Sequence, residues 1–154
     1  HETSQFDKPI LAICTKSKEP VKNWPISNWV ELIKNLKNNF SIIQFGDKSE
    51  PKFPDVTRYA GRLSMRESAA ILSQTDRFIG PDSLLMHIAN GLNIQSTIIF
   101  FFFRPIKCSG YHQNLNIENV PQCSPCWIHD GYEQCIHKIK CMKNIEVKDI
   151  TGIY

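Results

Sequence analysis

Short apolar runs alternate with amphipathic stretches from residue 10 to residue 103. Four of these runs are rich in β-branched and aromatic residues and are too short to be helices, which is typical of strands buried on both faces. They cover residues 10–15, 41–45, 77–80 and 96–103. The runs therefore predict four core strands of a parallel sheet.

Stretches with helical periodicity lie between these runs. Ser27 is the expected N-cap of the first helix, which covers residues 27–38. Ser64 and Glu67 form an S-x-x-E capping box that starts the second helix, and Asp82 or Ser83 caps the third. The apolar positions expected to face inward are Trp29, Leu32, Ile33, Leu36, Met65, Ala69, Leu72, Leu85, Ile88, Ala89 and Leu92.

The alternation of strand and helix favours an α/β fold, a Rossmann-like parallel sheet with helices on both faces. After Arg104 the pattern changes to loops, a weak strand near Ile117 and a group of cysteines. We expect residues 1–120 to form the Rossmann-like domain. Residues 121–154 are expected to add a cysteine-rich finger and a C-terminal tail that belong to the same domain.

Composition excludes some partners. The formal charge of +3 on 154 residues is too small to indicate a nucleic acid or an anionic membrane. The apolar stretch 97–103 is far shorter than the ~20 residues of a membrane-spanning helix, and no secretory signal pattern is present. These features favour a cytoplasmic protein. The chain begins with His1 rather than Met, so we expect a fragment or a processed piece with material missing upstream.

Ligands of open α/β sheets bind beyond the carboxyl ends of the strands, and polar residues follow three of the predicted strands here. Thr15 and Ser17 supply hydroxyls and Lys22 a cation just before a helix N-terminus, which is a favourable place for phosphate. A solvated loop explains the same residues, because no glycine-rich phosphate loop is present. Glu50 or Asp47 is a candidate acceptor for ribose hydroxyls, although a simple turn explains this stretch too.

The third polar segment, residues 80–83, is followed by His87. Ser83 and His87 are four residues apart and share a helical face. Together with Asp82 and the helix N-terminus they form a candidate diphosphate site. The structural alternative is a capped helix that carries a surface histidine.

Four of the six cysteines follow the pattern C-x2-C-x8-C-x5-C: Cys123, Cys126, Cys135 and Cys141. Four thiolates suit a closed, structural zinc or iron site, for which His129 and His137 are substitute ligands. Disulfides and free thiols are the alternatives, and they are less favoured without a secretion signal. A redox pair at Cys123 and Cys126 is disfavoured, because a redox C-x-x-C opens a helix directly after a strand.

Several motifs resemble the heptosyltransferase family, glycosyltransferase family nine. Residues 21–36, VKNWPISNWVELIKNL, resemble its K-x-W-P stretch and the helix that follows. Residues 60–93 resemble its G-x-x-S-L-x-E helix and its G-P-D-S-G-x-M-H-x-A signature, in the same order. The match covers residues 10 to 150, and the four-cysteine pattern resembles the iron site of the autotransporter heptosyltransferase branch.

The resemblance implies a GT-B enzyme, in which this chain is the C-terminal domain that binds the nucleotide-sugar donor, usually ADP-heptose. The acceptor, a lipopolysaccharide core, another glycan or a protein, would be bound by a missing N-terminal domain that also holds the acidic catalytic base. No residue of this chain is assigned as that base. The implied donor contacts lie at the phosphates, the ribose and the base: Thr15, Ser17, Lys22, Glu50, Ser64, Asp82, Ser83 and His87.

Two departures from the family pattern support a second hypothesis. Leu84 occupies the position of the signature glycine, and residues 102–105 replace the usual F-G-x-T. The alternative function is a catalytically incomplete binding or assembly module, with a degenerate donor site and a structural metal finger. An upstream domain with an acidic residue near its cleft would favour the enzyme. Either hypothesis is compatible with a homo-oligomer.

Overall fold

A six-stranded parallel sheet forms the centre of the molecule. The computed structural model describes residues 6–101, 106–126 and 135–154. The strands lie side by side in the order β3-β2-β1-β4-β5-β6, and every neighbouring pair is parallel. Their bounds are β1 (Ile10–Ile13), β2 (Ser41–Gln44), β3 (Thr57–Arg58), β4 (Arg77–Pro81), β5 (Gln95–Phe100) and β6 (Leu115–Glu118).

Five α-helices are present in the described part of the chain: α1 (Ile26–Leu36), α2 (Met65–Leu72), α3 (Leu84–Gly91), α4 (Lys140–Lys143) and α5 (Lys148–Thr151). Short 3-10 helices cover Pro20–Lys22 and Ile106–Cys108. The α/β fold and the four core strands predicted from the sequence are confirmed, as is the weak strand near Ile117. Strand β3 was missed because its two residues, on the outer edge of the sheet, are too short to show periodicity.

The sheet is covered on both faces, and the alternation of side chains along β1 shows how. Leu11 and Ile13 pack into an apolar cluster with α1 and the C-terminal tail. Ile10 and Ala12 point to the opposite face and pack with residues of α2 and α3. Successive strand residues point to opposite sides, so a continuous apolar run fits a strand buried between two layers.

Helix α1 packs as its sequence predicts, but it starts earlier. All four predicted inward positions are buried: Trp29, Leu32, Ile33 and Leu36. Ser27 is not the N-cap, because the helix begins at Ile26 and the Pro25 carbonyl accepts the first helical hydrogen bonds. Pro25 has no polar side chain, and this end of α1 makes no side-chain cap hydrogen bond.

Two apolar positions expected to face inward on α2 and α3 do not. Met65 is 60% exposed and Leu92 is 38% exposed, whereas Ile71 and Met86 are buried. Each helix is only eight residues long, and Met65 and Leu92 lie at the extreme ends, beyond the face that covers the sheet. The capping box of α2 is confirmed in both directions.

The C-terminal tail packs against α1 rather than extending from the domain. Ile139, Met142 and Ile150 are buried in the same cluster as the inner face of α1. The Trp24 indole Nε1 donates to the Ile145 carbonyl oxygen at 2.9 Å. Among the described residues, no helix has the length and apolar character needed to cross a membrane.

Candidate functional site

Thr15 follows β1 and Asp82 follows β4, so these predicted site residues lie where the strand order reverses. Strand β1 pairs with β2 on one side and β4 on the other, so the sheet grows in opposite directions from this pair: to β2 and β3 on one side, and to β5 and β6 on the other. Crevices for ligands form at such switch points, beyond the carboxyl ends of the strands. We call the region beyond the carboxyl ends of the strands the carboxyl edge.

Gly80 lets β1 and β4 approach each other at the carboxyl edge. A Cβ atom at Gly80 would lie 2.7 Å from the Phe78 ring and 3.2 Å from the Cys14 carbonyl oxygen. The first of these contacts is closer than real side chains tolerate, so only glycine fits without a shift of the ring. The glycine of the G-P-D-S segment therefore has a packing role as well as its place in the motif.

Lys22 lies at the centre of the candidate diphosphate site. Its residue is only 7% exposed, and its Nζ lies 3.3 Å from Asp82 Oδ2 and 3.5 Å from Glu19 Oε2. Ser109 Oγ also donates to Asp82 Oδ2, at 3.1 Å. The ammonium is largely desolvated and already paired with two carboxylates, so an anion that reaches it must compete with Asp82 and Glu19.

Ser83 and His87 complete this group on α3, and we call Lys22, Asp82, Ser83 and His87 the diphosphate cluster. Ser83 occupies the N-cap position, yet its side chain makes no capping bond. Its Oγ is buried and has no hydrogen-bond partner among the described residues. The His87 ring is exposed, and its Nδ1 lies 2.8 Å from the Tyr111 hydroxyl. The structure thus places Lys22 against Asp82, just before the helix whose first turns carry Ser83 and His87.

Glu50, the candidate ribose contact, is buried. It is 4% exposed, and its carboxylate accepts hydrogen bonds from Thr15 N at 3.1 Å, Lys16 N at 3.0 Å and Gln44 Nε2 at 3.2 Å. The Thr15 hydroxyl bonds to the same carboxylate. Burial raises the pKa of Glu50, against the opposing effect of these hydrogen bonds. Glu50 and Thr15 therefore hold the loop after β1 in place. Their assignment as donor contacts remains a prediction.

The thiol of Cys14 faces the same carboxylate. Its Sγ lies 3.6 Å from Glu50 Oε1 and 3.3 Å from the Lys16 carbonyl oxygen. Burial, followed by repulsion from Glu50, raises the pKa of Cys14 well above its usual value. The group is therefore a neutral thiol that donates, and not a nucleophilic thiolate.

The remaining predicted donor contacts serve local structure. Ser17 N donates to Asn23 Oδ1 at 2.7 Å, and Ser17 Oγ accepts from Glu19 N at 3.3 Å, so Ser17 shapes the loop before α1. Ser64 Oγ accepts from Glu67 N at 3.3 Å as the cap of α2. Their assignment to the donor remains a prediction.

Sequence reasoning missed Ser109 and Tyr111, which contact Asp82 and His87 respectively. Tyr111 is 24 positions away from His87 in the chain, and no local spacing signals such a contact. The turn that carries both residues follows β5, whose carboxyl end is next to that of β4. Adjacency in the sheet was the information that the sequence lacked.

A cavity of about 320 Å³ lies at the other end of the strands, near the start of β2. Its basic groups already have partners: Lys37 Nζ is 2.7 Å from Asp55 Oδ2, and Lys8 Nζ donates to the Lys37 carbonyl oxygen at 3.3 Å. Ligands of this fold class bind at the carboxyl edge, so we do not place the site in this cavity.

The four finger cysteines line one small cavity of about 20 Å³, together with Phe101, Pro121, His137 and Lys140. Cys141 belongs to the apolar cluster around α1. Within the described residues, no three His, Cys, Asp or Glu side chains are arranged as metal ligands. Residues 127–134 lie outside the described residues, and so do 102–105, so Trp127, His129 and the F-G-x-T replacement have no structural account.

The strand order and the helices on both faces define the class of Rossmann-like α/β domains. The model of the family "Glycosyltransferase family 9 (heptosyltransferase)" matches residues 1–137. The chain therefore belongs to glycosyltransferase family 9. No curated protein matches it significantly.

Solved structures share the fold at low sequence identity. The iron-containing dodecameric glycosyltransferase TibC from enterotoxigenic E. coli H10407 superposes with a TM-score of 0.82 at 20% identity, over 96% of this chain and 46% of TibC. The E. coli ADP-heptose lps heptosyltransferase II gives 0.75 at 16% identity, over 98% and 47%. E. coli heptosyltransferase WaaC with ADP gives 0.71 at 13%, over 95% and 43%. The chain thus spans about half the length of the structures it matches.

Proposed function

We propose that this chain binds the nucleotide diphosphate of an activated sugar, as the donor-binding, C-terminal half of a GT-B glycosyltransferase. The observation that carries the proposal is the diphosphate cluster at the switch point of the sheet. Membership of family 9 supports a sugar donor, and the ADP-heptose complex of TibC supports an ADP-activated heptose.

The diphosphate cluster combines three features that favour a diphosphate. The first turn of α3 presents backbone N–H groups and the positive end of the helix dipole, equivalent to roughly +0.5 charge. The buried Ser83 Oγ supplies a hydroxyl that needs a partner, because a buried unsatisfied polar group is unfavourable. Lys22 supplies a positive charge, for which the phosphates would compete with Asp82 and Glu19.

The reaction of the whole protein would be the displacement of the nucleoside diphosphate from the sugar by an acceptor hydroxyl. Negative charge grows on the leaving diphosphate, so Lys22 and the α3 dipole would stabilise the transition state electrostatically. A further domain would bind the acceptor, a glycan or a protein, and would supply the general base. Glu50, Thr15 and Ser17 would act by holding the loop after β1 in place.

We also propose that Cys123, Cys126, Cys135 and Cys141 hold one structural metal ion. All four line the same cavity, whose volume of about 20 Å³ matches a single small ion, since one water-sized probe needs about 10–15 Å³. A sulfur-only donor set suits zinc or iron, and the iron of TibC favours iron. When bound, the ion would supply folding energy to the segment after β6.

The alternative, a module with a degenerate donor site, rests on Leu84. This residue is the first of α3 and is 58% exposed, in a position where the family signature has glycine. An exposed side chain there reduces the space through which a diphosphate can reach the N-terminus of α3. Nucleotide binding by the chain decides between the two functions.

The test is a calorimetric titration of the chain with ADP, UDP and GDP. We expect ADP to bind most tightly and Lys22→Met to weaken it roughly tenfold or more, because a hydrogen bond to a charged group is lost. Lys18→Met, in the same loop but exposed, is the matched control and should bind as the wild type. Circular dichroism checks that both variants fold.

The outcomes separate the hypotheses. Preferential binding of UDP or GDP would keep the glycosyltransferase and change the donor. Failure of all three nucleotides to bind, both to the chain and to the protein with its acceptor domain, would refute the proposed donor site and favour the assembly module.

A further inference from the structure

The turn after β5 packs directly on the diphosphate cluster. Ser109 Oγ donates to Asp82 Oδ2 at 3.1 Å, and the Tyr111 hydroxyl lies 2.8 Å from His87 Nδ1. The rings of Tyr111 and His87 also meet edge to face, with centroids 5.6 Å apart. Two residues of one turn therefore contact two residues of the cluster.

The backbone of this turn is well anchored. Ser109 N donates to the Ile106 carbonyl oxygen at 3.1 Å, and the Tyr111 carbonyl oxygen accepts from Asn114 N and from Asn116 Nδ2, both at 3.2 Å. A Cβ atom at Gly110 would lie 2.9 Å from the Ile106 carbonyl oxygen, so the tight turn requires glycine. Tyr111 is thus held from its own side, independently of His87.

We propose that Tyr111 is a positioning residue of the donor site, which acts by fixing the orientation and the tautomer of His87. The proposal rests on the proposed binding of a donor diphosphate by this cluster. Its motivation is geometric: the phenol holds Nδ1 of an otherwise exposed ring, and among the described residues no group bonds to Nε2.

The chemistry follows from the two nitrogens of a neutral imidazole, one of which donates while the other accepts. When the Tyr111 O–H donates to Nδ1, the proton of the ring resides on Nε2. Nε2–H is then a donor, and a donor is what a phosphate oxygen requires. The opposite tautomer would present a lone pair to the phosphate and repel it.

The experiment compares Tyr111→Phe with the wild-type chain. Phenylalanine keeps the edge-to-face ring contact and removes only the hydroxyl. We expect ADP affinity to fall roughly two- to tenfold, the effect of losing one neutral hydrogen bond. Tyr154→Phe is the matched control: it also removes a hydroxyl bond of 2.8 Å, to Thr97, but its ring packs on Phe40 and Arg77, away from the cluster.

A double-mutant cycle with His87→Ala tests whether Tyr111 acts through His87. In the His87→Ala background, Tyr111→Phe should have no further effect on ADP affinity. An equal loss in both backgrounds would overturn the proposal, because Tyr111 would then contact the nucleotide itself. The same affinity for Tyr111→Phe and the wild type would overturn it too.

A spectroscopic readout separates this inference from the proposed function. The ¹⁵N shifts of the His87 ring report its tautomer at about pH 9, where histidine side chains are ordinarily neutral. We expect the Nε2–H form in the wild type and a mixture in Tyr111→Phe, with His87→Gln used for assignment. Unchanged shifts would refute the fixing of His87, whether or not nucleotides bind. Absence of nucleotide binding with a changed tautomer would refute the donor site alone.

Discussion

At the scale of single residues, Glu50 shows how one buried carboxylate organises the end of a strand. Its two oxygens accept hydrogen bonds from Thr15 N and Lys16 N in the loop after β1, and from Gln44 Nε2 of β2. Gly46 leaves room for the Glu50 side chain, because a Cβ atom at Gly46 would lie 2.6 Å from Glu50 Cγ. Its φ of 125° also favours glycine. The loop that carries Thr15 and Lys16 therefore depends on a residue 34 positions away from Lys16.

Replacing Glu50 tests this role. We expect Glu50→Gln to lower the free energy of unfolding at pH 7 by roughly 1–3 kcal/mol, because the amide nitrogen turns one acceptor into a donor that faces N–H groups. Denaturant unfolding followed by tryptophan fluorescence measures the change. Glu31→Gln, on the exposed side of α1, is the matched control and should leave stability unchanged.

The difference in stability between the wild type and Glu50→Gln should also depend on pH. Burial raises the pKa of Glu50, so the folded state holds more protons than the unfolded state between the ordinary glutamate value of about 4.3 and the raised one. The stability of the wild type relative to Glu50→Gln should therefore fall as pH increases through this window. A difference that is constant, or that grows with pH, would contradict the raised pKa.

At the scale of elements, α2 and α3 begin in different ways that match different roles. Ser64 and Glu67 satisfy each other's backbone N–H groups, and the Ser64 N to Glu67 Oε2 distance is 2.8 Å. The corresponding hydroxyl on α3, that of Ser83, makes no such bond. A closed capping box stabilises a helix, whereas an unused cap leaves the N-terminus available to an anion.

Ser64→Ala should therefore reduce stability, and its effect on nucleotide affinity tests the predicted donor contact of Ser64. We expect a loss of about 0.5–2 kcal/mol in the free energy of unfolding, the usual contribution of an N-cap. Ser68→Ala, inside the same helix, is the control and should be neutral or slightly stabilising, because alanine favours helix. A drop in ADP affinity for Ser64→Ala without a stability loss would show that Ser64 contacts the donor.

At the scale of the whole molecule, the cysteine finger is connected to the core rather than appended to it. Cys141 and the neighbouring Met142 are buried in the cluster that contains the inner face of α1. The Ile145 carbonyl oxygen, just beyond α4, accepts from both Trp24 and Asn28 at the start of α1. Changes at the finger should therefore reach the loop that carries Lys22.

We expect the purified chain to bind about one metal ion and Cys126→Ser to lose it. Metal loss should lower Tm by at least about 5 °C. This shift corresponds to a loss of about 2 kcal/mol in the free energy of unfolding, since each kcal/mol shifts Tm by roughly 2–4 °C in a domain of this size. Amide exchange should increase across residues 139–151. Elemental analysis, calorimetry and exchange measured by mass spectrometry test these points.

Cys108→Ser is the matched control, because Cys108 is exposed and does not line the finger cavity. It should keep the metal and the stability of the wild type. Equal metal content in Cys126→Ser, or a disulfide in the wild type detected by mass spectrometry, would contradict a four-thiolate site.

The sequence by itself determined the core strands β1, β2, β4 and β5, the helices α1 to α3, and the candidate residues of the diphosphate cluster. Four apolar runs, the face of α1 and the capping box of α2 were readable because each depends on neighbours within a few positions. Lys22, Asp82, Ser83 and His87 were readable because their motifs precede or open helices. The predictions that failed concern helix ends. Ser27, Met65 and Leu92 lie at helix termini, where periodicity carries little information.

Only the tertiary structure decided the strand order, the burial of Glu50 and the contacts of the turn after β5. Parallel strands join segments far apart in the chain, as when Ile13 pairs with Ile79. No local pattern encodes such a partner, and burial depends on what the rest of the chain places on top. Tyr111 therefore reads as an ordinary loop tyrosine in the sequence. It becomes a neighbour of His87 because β5 lies beside β4 in the sheet.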